Sequence, residues 1–176
     1  FVQHESSLEL LQEINLASKT TVSGDTRFDR VTEIATNAEP IANLENFTAN
    51  ARVIVAGSTW PKDEIILKQF IDKHPEYKLI VIPHEVNEKR SNELKSTFPL
   101  AAFFSAYSEK KDANARILIV DAIGWLSRIY RYATIAYIGG GFNKGIHNTL
   151  EAAVFGKPVL FGSNYQKFNE AIEMIE

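Results

Sequence analysis

The chain has 176 residues, 45% of them apolar and 23% charged, with a net charge of −3 and no cysteine. This is the balance of one globular domain with enough apolar surface to offset chain entropy, and its charge gives no reason to expect nucleic acid. The absence of cysteine excludes disulfides and thiolate zinc sites and fits a reducing compartment.

No apolar run approaches the roughly 20 residues that a membrane span needs. There is no signal peptide, and the chain opens on Phe1 rather than Met. Residues 1–3 read as a short strand, 5–16 as a helix and 20–24 (TTVSG) as a second short strand. Residues 52–57 (RVIVAG) have the pattern of a buried strand. Pro61 opens the next helix at its first turn, where a missing N–H costs nothing, and Pro75 stops it. A strand over 77–84 and a helix over 87–97 follow, then strands over 101–106 and 116–122. Residues 124–132 predict a short helix, 133–140 (ATIAYIGG) another buried strand, and 147–155 a helix that Gly156 ends. The last strand is 158–162 (PVLFG). Residues 168–176 read as a helix still running at the final position, so both termini read as cut points in a longer protein. Asn46-Phe47-Thr48 fits a glycosylation sequon, which without a secretory signal reads as chance.

Strand and helix alternate, and the strands are continuous apolar runs. Such strands are buried on both faces, so the chain predicts an α/β fold: a Rossmann-like, doubly wound parallel sheet with helices on each side. Residues 1–30 read as the tail of a preceding domain and its linker, and 31–176 as the sheet domain. Its ligand belongs beyond the carboxyl ends of the strands.

Four strand-to-helix crossings fall on that edge. The richest is 138–158, IGGGFNKGIHNTLEAAVFGKP, where a strand runs through three glycines into a helix expected to start near Ile146. Glycines admit a ligand close to the backbone, and a helix start offers free N–H groups, together an anion site. An ordinary tight turn uses the same residues. Neither the dinucleotide fingerprint nor the P-loop fits, because Lys144 and Ile146 stand where each needs another residue. His147, Asn148 and Glu151 share one helix face at this spacing, with Glu151 placed to accept ribose hydroxyls; equally, Asn148 would cap the helix and Glu151 favour its dipole. The other crossings are Asp121 to Gly124, Ala56 to Trp60 with Ser58 or Thr59 as ligand or cap, and Pro83-His84-Glu85. No HExxH, Ser elbow or spacing for a metal is present.

The stretches VSGDTRFDRV (22–31), AGSTWPKDE (56–64), IPHE (82–85), VDAIGWLSRIY (120–130) and GGGFNKGIHNTLEAAVFGKPVLFG (139–162) together resemble the 3-deoxy-D-manno-octulosonic acid (Kdo) transferases of lipid A assembly. The resemblance spans the chain in order and spacing. It implies the C-terminal, donor-binding half of a GT-B glycosyltransferase, with CMP-Kdo as donor substrate, no cofactor and no metal. It also implies an acceptor, a lipid A precursor, held by an N-terminal domain that carries the catalytic glutamate and a membrane anchor. The whole enzyme would then sit at the cytoplasmic face of the inner membrane, this chain alone being inactive. By position, Glu151 would bind the ribose, and Gly145, Ile146, His147 and Asn148 the phosphate and Kdo carboxylate. Ile123 and Gly124 would present backbone to cytosine, Pro83 and His84 would line the nucleotide pocket, and Ser58 would sit near the phosphate. Arg27 would face the cleft as a cation, and Arg27 or Lys144 would stabilise the departing phosphate. Two departures stand out: no arginine flanks the histidine of Pro83-His84, and Ala152 follows Glu151 where many members have proline. A UDP-sugar-dependent GT-B transferase or sugar-nucleotide epimerase would use the same residues. A regulatory nucleotide-binding module or a bare interaction domain is the reading outside enzymes.

Overall fold

The computed structural model describes residues 1–175. Three helices come first, α1 (Glu5–Gln12), α2 (Arg27–Thr36) and α3 (Ala42–Thr48). Strand and helix then alternate: β1 (Arg52–Thr59), α4 (Pro61–Lys73), β2 (Tyr77–Pro83), α5 (Glu88–Thr97), β3 (Ala102–Phe103), α6 (Glu109–Asp112) and β4 (Ile117–Ile119). They continue as α7 (Leu126–Ile129), β5 (Ile135–Ile138), α8 (Leu150–Ala153), β6 (Val159–Phe161) and α9 (Asn169–Glu173). One six-stranded sheet has the order β3-β4-β2-β1-β5-β6, and every pairing is parallel. The chain runs outward from β1 to one edge, then returns to the other side of β1 as β5. The switch point, and with it the ligand crevice of a doubly wound sheet, therefore lies between β1 and β5.

The sheet forms because its strands are apolar on both faces. Alternate side chains point to opposite sides. Val53 and Val55 join a layer with Leu44, Phe47, Ile129 and Tyr130, while Ile54 and Ala56 join the opposite layer with Leu67, Ile71, Leu94 and Phe98. Each such aliphatic or aromatic side chain contributes about 1.5–3 kcal/mol through burial. The flanking helices carry their own start signals. Asp63 accepts the N–H of Trp60 at 2.9 Å ahead of α4, and Asn87 accepts the N–H of Arg90 at 2.9 Å to begin α5.

Several expected elements are shorter than the sequence pattern suggests; the strands expected over 116–122 and 133–140 keep only Ile117–Ile119 and Ile135–Ile138. The strand expected over 101–106 keeps only Ala102 and Phe103 before turning into a 3-10 helix, because the Asp121 carboxylate holds Ser105 by its N–H and hydroxyl. The helix expected over 124–132 is one turn, Leu126–Ile129, followed by a 3-10 turn. The helix expected from His147 begins only at Leu150. Gly145 has φ of 129°, the Ile146 N–H is bound by the Asn164 carbonyl at 3.2 Å, and Asn148 caps Leu150 at 3.0 Å. At the N-terminus the expected short strands are a single parallel bridge, Val2 to Val22. Helix α2 packs against α7 and α8, so the chain joins the sheet domain from Arg27, inside the segment expected as linker.

Candidate functional site

The glycines after β5 fit backbone against backbone. A Cβ at Gly139 would lie 2.3 Å from the Ser58 carbonyl oxygen, one at Gly140 2.3 Å from that of Gly145, and one at Gly141 2.5 Å from the Gly162 nitrogen. They join the ends of β1, β5 and β6, so the tight-turn reading of this run holds, and the close approach it permits is to the protein's own chain. Asp63 completes the junction. Its carboxylate is buried and accepts from the Tyr137 hydroxyl at 2.6 Å, the Gly140 N–H at 3.0 Å and the Trp60 N–H at 2.9 Å.

Around this junction the expected residues assemble. β1 shifts register between Gly57 and Thr59, and Ser58 there takes φ of 53°, a left-handed conformation costly for a serine. A bulge of this kind re-aims a side chain at a strand end. Ser58, Pro83, His84, Ile123 and Gly124 line one cavity of about 210 Å³, together with Trp125 and Leu126. The structure thus brings together five residues drawn from three separate crossings. His84 links them to the loop after β5. Its ring stacks on Trp60 at 4.8 Å between centroids and on His147 at 4.3 Å, and Trp60 Nε1 donates to His147 Nε2 at 3.2 Å. Burial pushes the His147 pKa below its ordinary value; nearby His84 adds to this and Asp63 opposes it.

The segment before α8 corrects the expected phosphate site. The N–H groups of Gly145 and Ile146 already donate to Gly140 and Asn164 carbonyls, and the Ile146 side chain is in the core. Neither is available to a ligand as expected. The N–H groups of His147, Asn148 and Thr149 have no acceptor among the described residues, so any anion-binding backbone sits two to four positions later than Gly145. Asn148 serves as the cap that the pattern allowed, and its amide also donates to Glu151 Oε1 at 3.2 Å. Burial raises the Glu151 pKa above the usual carboxylate range; the Asn148 hydrogen bond and the charge of Arg30 pull it partly back.

Arg27 does not stand free as a cation for the cleft. Its guanidinium pairs with Asp25 at 2.6 Å and with the buried Glu170 at 3.1 Å, tying α2 to α9. Two carboxylates already compensate its charge. Lys144 is exposed in the turn after β5, and Lys62 reaches the Phe142 carbonyl nearby at 3.4 Å. Sequence reasoning passed over Trp60, Asp63, Arg30 and Thr149. Asp63 carried a signal as the third residue of a helix that opens on proline. Thr149 carried none; it is wholly buried, with a hydroxyl that has no partner. An apolar groove of about 350 Å³ between α2, α8 and α9 lies apart from the expected cluster. Among the described residues no group of three or more His, Asp or Glu could hold a metal, and no helix is long and apolar enough to cross a membrane.

A parallel doubly wound sheet with polar residues gathered at its switch point sets the place where such a fold receives a ligand. Comparison with known proteins narrows this. No family model matches the chain. It is 31% identical over 175 residues to the 3-deoxy-D-manno-octulosonic acid transferase of Rickettsia bellii, covering 94% of this chain and 40% of that protein. The transferase of Rickettsia prowazekii is 30% identical over 176 residues, covering 94% and 37%. That of Aquifex aeolicus is 34% identical over 128 residues, covering 70% and 35%. Among solved structures, the C-terminal CMP-Kdo binding domain of WaaA from Acinetobacter baumannii superposes with a TM-score of 0.63 at 20% identity, over 82% of this chain and 77% of that one. The fold is therefore that of this domain, a doubly wound parallel α/β sheet, as expected. Over almost its whole length the chain is similar to the two Rickettsia transferases, and it spans between a third and about two-fifths of the length of all three proteins.

Proposed function

We propose that the chain is the donor-binding domain of a glycosyltransferase that moves Kdo from CMP-Kdo to a lipid A precursor at the cytoplasmic face of the inner membrane. The observation that carries this reading is sequence kinship with Kdo transferases across 94% of the chain. The site is compatible with it. Glu151, held by Asn148, would accept the ribose hydroxyls. The free N–H groups of His147 and Asn148, with the His147 ring, would meet the phosphate and the Kdo carboxylate. Ser58, Pro83, His84, Ile123 and Gly124 would enclose the base end in their shared cavity. Lys144, exposed beside this loop, would add positive charge as the phosphate departs. Such donors act where negative charge develops in the transition state.

The general base that deprotonates the acceptor hydroxyl would come from another part of the protein. Transfer would invert the anomeric carbon and need neither metal nor cofactor; full turnover in excess chelator is the check. The acceptor and the membrane site rest on the resemblance alone.

Calorimetric titration of the chain with CMP, CDP, UMP and UDP tests the nucleotide assignment. Selective cytidine binding is the expected result. A preference for uridine would reassign the domain to a UDP-sugar enzyme, because the two bases present different edges to the backbone at Ile123 and Gly124. Absence of binding to all four would contradict a formed nucleotide site in this chain.

A further inference from the structure

We propose that Trp60 is a positioning residue that locks His147 as a neutral imidazole with its proton on Nδ1, so that the ring offers an N–H to the anionic part of the bound nucleotide. This deepens the reading above and rests on it for the identity of the ligand. The lock itself rests on geometry alone.

An indole N–H can only donate. Trp60 Nε1 stands 3.2 Å from His147 Nε2, so that ring nitrogen must accept. An imidazole that accepts at Nε2 is neutral and carries its one proton on Nδ1. The rest of the ring is held as well. His84 stacks on it with planes 24° apart and on Trp60 with planes 26° apart, bracing donor and acceptor from one side. The Cδ2 edge lies against Gly140, where an added Cβ would come within 3.3 Å. Two edges of the ring thus face the protein. Nδ1 lies on the remaining one, with no hydrogen-bond partner among the described residues and outside the buried unpartnered atoms.

Protonating His147 would set a second N–H against the indole N–H and break the bond. Burial and His84, just after β2, disfavour the charged ring and outweigh Asp63 of α4, which favours it and accepts three hydrogen bonds from other groups. The consequence for chemistry is specific. His147 would act on the nucleotide as a fixed hydrogen-bond donor, with no lone pair left on Nδ1 to take a proton from it. Trp60 would set that role without touching the nucleotide.

The test uses the 176-residue chain labelled with 15N. Long-range proton–nitrogen spectra report the tautomer of each histidine, and His147→Gln identifies the resonances. At about pH 8, where a histidine of ordinary pKa is neutral, wild-type His147 should show a protonated Nδ1 and a bare Nε2. Trp60→Phe keeps a ring beneath His84 and removes only the donor. It should produce a mixture of tautomers, raise the His147 titration midpoint, and weaken CMP binding about three- to tenfold. A wild-type His147 protonated on Nε2 overturns the proposal, and does so even if the Phe variant fails to fold. A folded Trp60→Phe protein with unchanged tautomer and midpoint also overturns it. The expected tautomer changes in a chain that does not bind CMP would uphold the lock and overturn the nucleotide reading, so the two failures are distinguishable.

Discussion

Replacing Asp63 by asparagine should cost about 3 kcal/mol of stability. The carboxylate accepts three hydrogen bonds, from the Tyr137 hydroxyl at 2.6 Å, the Gly140 N–H at 3.0 Å and the Trp60 N–H at 2.9 Å, and its residue is 1% exposed. Hydrogen bonds to a charged group contribute about 1.5–3 kcal/mol each, neutral ones about 0.5–1.5. An asparagine can turn its oxygen to the two backbone donors and its NH2 to Tyr137, so each bond survives in neutral form. The loss is then about 1 kcal/mol per bond, over three bonds. Asp63→Ala leaves three donors without an acceptor and should cost more, about 4 kcal/mol or above. Urea denaturation followed by far-UV circular dichroism at neutral pH measures both. A domain of this size is stable by about 5–15 kcal/mol, so the asparagine variant should still fold. An Asp63→Asn protein within about 1 kcal/mol of wild type would refute the view that this carboxylate joins β1, α4 and the turn after β5.

Glu151→Gln separates stability from binding. Because burial raises the folded-state pKa of Glu151 above its ordinary value, the carboxylate costs no stability at low pH; the cost sets in as pH rises through the ordinary carboxylate value and is complete above the raised folded-state one. The glutamine variant should therefore melt higher than wild type at about pH 8 and alike at about pH 4, while its CMP affinity falls roughly ten- to a hundredfold; equal melting at both pH values would place the carboxylate in water. Thr149→Val replaces a buried hydroxyl that has no partner by an apolar group of the same shape, and should raise stability by about 1 kcal/mol in the same urea assay. A loss there would show that the hydroxyl is bonded in solution. Arg27→Ala should cost about 1–2 kcal/mol by leaving the buried Glu170 unpaired, with CMP affinity unchanged by calorimetry. A tenfold loss of CMP affinity would instead return Arg27 to the nucleotide cleft.

The sheet was legible because its strands are buried on both faces, and a continuous Val and Ile run such as 53–55 or 79–82 has few other homes. The strand-end residues followed from that, since parallel strands place Ser58, His84 and Gly124 on one edge wherever the helices fall. Helix α8 was misplaced because the residues that delay it act from elsewhere: Asn164 holds Ile146 across the sheet edge. The glycines left a ligand site and a tight turn equally open, because nothing near Gly141 in sequence announces that Gly162 will press against it. Trp60 and His147 stand 87 positions apart, and Arg27 and Glu170 stand 143 apart. Pairings at such separation are set by how the helices pack, and local pattern does not encode them. Arg27 therefore looked like a free cation until its two carboxylates were in view.

The most direct test of the account is where CMP binds. Titrating 15N-labelled chain with CMP and following the backbone amide resonances should give the largest shifts at Ser58, His84, Gly124, His147, Asn148 and Glu151. Shifts confined to Phe28, Val31, Leu150 and Met174, in the groove between α2, α8 and α9, would place the nucleotide elsewhere and contradict the account.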